Sequence, residues 1–257
     1  MRLAIAGKGG AGKTTICATA ARLLARSGRR VVALDADSNP NLCAALDTGT
    51  GAAATHAALS SSLVSRRPAG PALTVPLDEV LAQHALQAPD GVQVVPMGAP
   101  AHADEGCLCG AHAAVSALLA DLGNRPEITT LIDLEASPEH LSRGTARHAD
   151  VLLLVAEPYF RSLEAVRLQA SLAAETAIGR IAVVANKCRS DEDAAAIEEF
   201  CDGHGLELAG TVPWSEAVLA ADTAGVPLVD HAPADPATAA IGTLAQRLIA
   251  AAVVAEV

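Results

Sequence analysis

A chain of 257 residues with 51% hydrophobic side chains can bury one sizeable core, and since only 2% of it is aromatic that core must be built from Ala, Leu, Val and Ile. The formal net charge of -11 leaves no diffuse basic field and argues against nonspecific binding to nucleic acid. No apolar run reaches the length of a transmembrane segment, no secretory leader is evident, and six scattered cysteines do not make a disulfide framework, so a cytoplasmic protein is expected.

Along the chain, short β-prone runs alternate with helical patterns. The runs are 2–6, 31–35, 91–96, 130–133, 151–156, 181–186 and 206–212. Several are apolar throughout, as strands covered on both faces are. The alternation predicts βαβ units in a single α/β domain spanning 1–257, with a mostly parallel sheet and helices on both faces. Ligands of such a sheet gather at the carboxyl ends of the strands.

The first run leads into Gly7-Lys8-Gly9-Gly10-Ala11-Gly12-Lys13-Thr14-Thr15 and then an Ala- and Leu-rich helical stretch. This is the arrangement a polyphosphate requires. Backbone N–H groups over Gly9, Gly10, Ala11 and Gly12 converge on the phosphates, Lys13 neutralises their charge, and the helix start adds its dipole. Thr14 is expected to coordinate Mg²⁺ and Thr15 to hydrogen-bond a phosphate oxygen.

Asp35 and Asp37 close the second run, on the side of the phosphate loop. Asp35 is a candidate to hold Mg²⁺ through water and Asp37 to orient an attacking water; capping of the next helix competes for one of the two. Segment 47–72, rich in Gly, Ala, Ser and Thr, reads as a loop or mobile segment. After a second break comes Gly106-Cys107-Leu108-Cys109-Gly110. Two thiols one residue apart cannot complete a four-ligand site within one chain. On the axis of a twofold dimer, Cys107 and Cys109 of both subunits would supply four thiolates, a set for Zn²⁺ or planar Ni²⁺. His102 and His112 flank the pair and read more readily as surface or cap residues than as ligands.

Asp133 ends the fourth run in the Walker-B position, a further candidate to bind Mg²⁺ through water. It opens Asp133-Leu134-Glu135-Ala136-Ser137-Pro138-Glu139-His140-Leu141-Ser142-Arg143-Gly144-Thr145. Asn186-Lys187 closes the sixth run and Thr211-Val212-Pro213 the seventh. An Asn amide there can donate to and accept from a base, with ordinary turn chemistry as the competing reading. Cys17, Cys43, Cys188 and Cys201 read as core or small apolar filler. The stretch 241–257 is apolar with Arg247 its only basic residue, a packing helix before a membrane-surface one.

With its additional lysine, Lys8, the loop resembles the deviant Walker-A ATPases, the MinD/ParA-like group that includes the nitrogenase iron protein, cell-division and partition ATPases and several metal-insertion ATPases. That resemblance implies an ATP hydrolase with Mg-ATP as ligand and a homodimer that sandwiches two ATP molecules. Lys8 would then cross to the partner's nucleotide as an arginine finger does, with Lys13 and Asp37 the other catalytic candidates and Asn186 and Pro213 in the base pocket. Segment 133–145 is similar to the second switch of the CooC-type nickel-insertion ATPases of carbon monoxide dehydrogenase maturation, Asp-x-Glu-Ala-Gly-x-Glu-His-Leu-x-Arg-Gly-Thr. The Cys-x-Cys also falls where that family carries it. Ser137-Pro138 stands where the family has a glycine, which stiffens the hinge. The implied activity is an ATP-driven metallochaperone serving an apo-metalloenzyme, with carbon monoxide dehydrogenase the client that the resemblance names. Two other readings stand beside it. One is a positioning or partition ATPase; the other is a redox ATPase like the nitrogenase iron protein, whose separated cysteines Cys-x-Cys does not reproduce.

Overall fold

The computed structural model describes residues 1–49, 59–67, 70–98, 109–137 and 146–254. Each of the seven expected runs forms a strand: β1 (Arg2–Gly7), β2 (Arg30–Ala36), β6 (Gln93–Pro96), β7 (Ile128–Leu134), β8 (Val151–Ala156), β9 (Arg180–Cys188) and β10 (Glu207–Pro213). With β5 (Leu86–Gln87) they make one sheet in the order β10-β9-β8-β1-β7-β2-β6-β5. All pairings are parallel except that of β5 with β6.

The apolar continuity of the strands reflects burial on both faces. Along β1, Leu3 and Ile5 enter one core while Ala4 and Ala6 enter the other. The first core is closed by α1 (Lys13–Arg26), the short α8 (Leu228–His231) and α9 (Pro236–Val254), through Ile16, Leu24, Leu228, Ile241 and Leu248. The second is closed by α3 (Leu77–His84), α4 (Cys109–Leu122), α5 (Phe160–Ala174) and α6 (Asp191–His204), through Leu81, Leu118, Val166 and Ile197. Two shorter helices, α2 (Leu42–Ala45) and α7 (Glu216–Ala224), follow β2 and β10. The apolar carboxyl-terminal stretch is a packing helix, since α9 lies against α1 and β10. Among the described residues no helix is long and apolar enough to cross a membrane.

The reading of 47–72 as loop is corrected in part. β3 (Val64–Arg67) and β4 (Gly70–Leu73) form an antiparallel hairpin that packs against α4. Val64 stands opposite Leu73, and Leu63, Val64 and Leu73 reach the second core. So few apolar residues, set among Ser, Arg, Pro and Gly, leave no alternation to read.

Candidate phosphate site and its surroundings

The phosphate loop runs from the end of β1 to the start of α1. Gly12, which precedes the helix, has φ 99°, carries no side-chain cap, and no acidic residue occupies the first turn. The helix therefore presents unneutralised N–H groups and the positive end of its dipole. They border a cleft of about 610 Å³ lined on one side by Lys13, Thr14 and Thr15 and on the other by Asn186, Pro213 and Trp214. That is the size class of a small-molecule site.

Lys13 is buried, and its Nζ donates to Lys8 O at 3.2 Å. Burial pulls its pKa below the ordinary lysine value, against the opposing pull of Asp133 and Asp37. A buried cation beside a helix start is completed by an anionic ligand.

Parallel pairing of β2 with β7 sets Asp35 level with Asp133 at the carboxyl end of the sheet. Thr14 Oγ1 donates to Asp133 Oδ2 at 2.6 Å, while Asp133 Oδ1 is buried without a partner. Burial lifts the Asp133 carboxyl to about 6, and burial together with Asp133 lifts Asp35 to about 7. An orphaned carboxylate oxygen beside a threonine hydroxyl is a donor set that fits Mg²⁺, a hard cation that takes few protein ligands and completes its shell with phosphate and water. Among the described residues no group of three or more His, Cys, Asp or Glu side chains is placed to hold a metal ion.

Asp35 has a second task. Its oxygens accept the N–H groups of Asp37 at 3.3 Å and Leu42 at 2.8 Å, closing the loop after β2 onto the strand end. Asp37 is half-buried and its Oδ1 accepts the Asn39 N–H at 2.8 Å. Ser38 Oγ donates to Glu135 Oε1 at 3.2 Å, joining the loop after β2 to the segment after β7.

Asn186 is buried, and its amide nitrogen already donates to Ala11 O at 2.7 Å. A Cβ on Gly12 would stand 2.5 Å from that nitrogen, so residue 12 is held to glycine by contact as well as by φ. Asn186 thus lies under the loop backbone with its donor side committed there. Pro213, after an irregularity in β10, lines the cleft, and next to it Trp214 lies against the Arg189 guanidinium, 4.5 Å from the ring centroid.

Lys8 sits with its ammonium 5.7 Å from the centroid of the Tyr159 ring. Glu157 and Tyr159, just past β8, were not foreseen in the sequence. The rule that singles out Asp35 and Asp133 also reaches Glu157, a carboxylate just past an apolar strand.

Cys107, His102 and residues 138–145 lie outside the described residues. Of Cys109 the structure gives the position, the first residue of α4. His112 is buried on that helix, where a surface or cap residue was expected. Cys17, Cys43, Cys188 and Cys201 are buried free thiols pushed up by burial, the last three to about 11, as core filler should be.

The family model described as CobQ/CobB/MinD/ParA nucleotide binding domain matches residues 3–228. The chain is 35% identical over 260 residues to the carbon monoxide dehydrogenase accessory protein CooC of Rhodospirillum rubrum, covering 96% of this chain and 97% of the relative. It is 29% identical to an uncharacterized ATP-binding protein of Methanocaldococcus jannaschii, covering 89% of this chain and 91% of that one. Among solved structures, the MinD cell division protein of Aquifex aeolicus superposes with a TM-score of 0.73 at 21% identity, covering 97% and 96% of the two chains. A ParA family ATPase of Chlorobium tepidum gives 0.73 at 19% identity, covering 95% and 98%.

Proposed function

The chain belongs to the CobQ/CobB/MinD/ParA nucleotide-binding family and is a P-loop ATPase, and from that premise we propose that it is a Mg-ATP-dependent dimer that delivers nickel or zinc to an apo-metalloenzyme. The observation that carries this reading is the 35% identity, over 96% of the chain, to an accessory protein of carbon monoxide dehydrogenase, in a sequence that carries Cys107-Leu108-Cys109. An enzyme of that kind is the proposed client.

In this reading the N–H groups of Gly9, Gly10, Ala11 and Gly12 surround the phosphates and Lys13 neutralises them, regaining a charge partner in its buried position. Thr15 adds a hydrogen bond to a phosphate oxygen. Thr14 and Asp133 would hold Mg²⁺, with Asp35 behind them, and the ion would neutralise charge on the phosphate oxygens. Asp37 orients the attacking water, and Lys8 of the partner subunit steadies the charge that develops on the γ-phosphate. Pro213 and Trp214 border the base, while Asn186 serves the loop beneath it.

Cys107 and Cys109 of two subunits meet on the dimer axis as four thiolates around the cargo ion. Two contacts support a link from nucleotide to cargo. The Ser38–Glu135 hydrogen bond joins the segments that follow Asp35 and Asp133. On α4, which begins at Cys109, Ser116 Oγ lies 2.9 Å from Nε2 of His148, just beyond the second switch. A positioning ATPase is the weaker reading: α9 is spent on packing, and the MinD and ParA structures, at 19–22% identity, share the fold alone.

Equilibrium dialysis against Zn²⁺ and Ni²⁺ tests the proposal. Wild type should bind one ion per dimer, and Cys107→Ala, Cys109→Ala and the double variant should lose it. Because thiolate ligation needs deprotonation, affinity should rise with pH until the free thiols ionise. Undiminished stoichiometric binding by the double variant, or tight binding by a monomer, would remove the metallochaperone reading.

A further inference from the structure

Glu157 is buried immediately past β8, and its carboxylate serves two partners. Oε1 pairs with Lys187 Nζ at 2.8 Å, and Oε2 accepts the Tyr159 hydroxyl at 2.7 Å. Its own N–H donates to Ser162 Oγ at 2.9 Å, which fixes the backbone that carries it. Lys187 in turn donates to Gly10 O at 2.6 Å, from a backbone with φ 61°, a left-handed conformation costly for lysine. The preceding side chain, Asn186, donates to Ala11 O at 2.7 Å.

Two successive carbonyls of the phosphate loop are thus engaged by two successive side chains of β9. A trans peptide points its N–H away from its C=O, so fixing Ala11 O fixes the Gly12 N–H on the side away from Asn186. The Gly10–Ala11 peptide is gripped at both ends, because the Ala11 N–H donates to Lys8 O at 3.1 Å. A Gly-rich loop has much conformational freedom to lose, and holding it in place beforehand removes that cost from the binding step.

We infer that Glu157 is a positioning residue for nucleotide binding: by pairing with Lys187 it holds that ammonium on Gly10 O and sets the phosphate loop in its anion-binding form before nucleotide arrives. This inference depends on the ATPase activity and is independent of dimerisation, metal and client.

Trp214, the single tryptophan of the chain, lines the cleft and supplies a fluorescence readout for Mg-ADP titration. Glu157→Gln keeps the shape and removes the charge; the Kd for Mg-ADP should rise about tenfold, the scale of one charged hydrogen bond. The ATP KM should rise in step while kcat changes by less than about twofold, the pattern of lost uniform binding. Glu157→Gln combined with Lys187→Met leaves no unpaired buried charge and should show the same rise, not its square, because the two residues act as a unit. Glu207→Gln, which breaks the Arg180–Glu207 pair at the opposite end of β9 and β10, should leave Kd unchanged. The inference is overturned if both Glu157 variants bind Mg-ADP within about twofold of wild type, if any loss only tracks a fall in Tm, or if the neutral double variant fails to fold.

Discussion

At the scale of single residues, the site is organised by which buried charges are already satisfied. Asp35 has two backbone N–H donors and Asp133 has Thr14 on one oxygen only, so the unmet valence of the site is Asp133 Oδ1. Asp37 stands further out, near enough to influence Lys13 yet not buried like the other two. This geometry separates two variants. Asp133→Asn should weaken Mg²⁺ dependence, raising the Mg²⁺ concentration for half-maximal turnover by about tenfold. Asp37→Asn should bind Mg-ATP nearly as wild type and lower kcat by at least about a hundredfold, since orientation of the water acts in the transition state. Calorimetric titration beside steady-state kinetics distinguishes them; equal losses of binding with no catalytic loss would contradict the division of roles.

The helices matter as much for what they anchor as for what they bury. Near its carboxyl end α1 carries Arg22 and Arg26, and both pair with Asp90 and Asp230, tying the phosphate-loop helix to the turn before β6 and to α8. Burial raises the Asp90 carboxyl, but hydrogen bonds from Arg22 and Arg26 outweigh it and hold the group below its ordinary value of 3.8. A carboxyl depressed in the folded state contributes stability that is fully present above the unfolded value and fades as pH falls through the folded one. Asp90→Asn should therefore cost on the order of 0.5–1 kcal/mol at neutral pH, because Asp90 is screened by solvent and the buried Arg22 keeps Asp230 as a partner. The difference from wild type should shrink as pH falls below 3.8 and through the depressed value of the folded carboxyl. Denaturant titrations at several pH values check this.

How far these elements could be read beforehand followed from how much of their signal was local. The seven long strands and the phosphate loop announce themselves through apolar continuity and through glycine, lysine and threonine in fixed order. The hairpin β3–β4 does not, because Val64 and Leu73 become a pair only once the chain has turned. Strand β5, at two residues, is too short for any periodicity. Asn186 reads as a candidate from its place at a strand's carboxyl end, but the direction of its amide toward Ala11 depends on the β9 end lying under the loop, a tertiary fact. Glu157 carries the local sign of a carboxylate just past an apolar strand, but its partners are tertiary, Lys187 far along the chain and, through it, Gly10 farther still.

At the scale of the whole molecule, one sheet gathers the candidate nucleotide-binding residues along the carboxyl ends of β1, β2, β7, β8 and β9, while α4 begins at Cys109 and packs in the second core. The proposal that ATP turnover governs a metal held by two subunits makes these two regions parts of one cycle, with Lys8 the residue that reads the partner's nucleotide. The most direct test is to load the protein with Ni²⁺ or Zn²⁺, add Mg-ATP, and follow transfer of the metal to a chromophoric chelator while light scattering reports mass. The account predicts a dimer carrying one ion per two chains that releases it at the rate of ATP turnover. Lys13→Ala should abolish nucleotide binding, and Lys8→Ala should keep binding but lose ATP-dependent dimerisation, turnover and accelerated release. Metal transfer that proceeds at the same rate with and without ATP, or a Lys8→Ala protein with unchanged turnover and release, would contradict it.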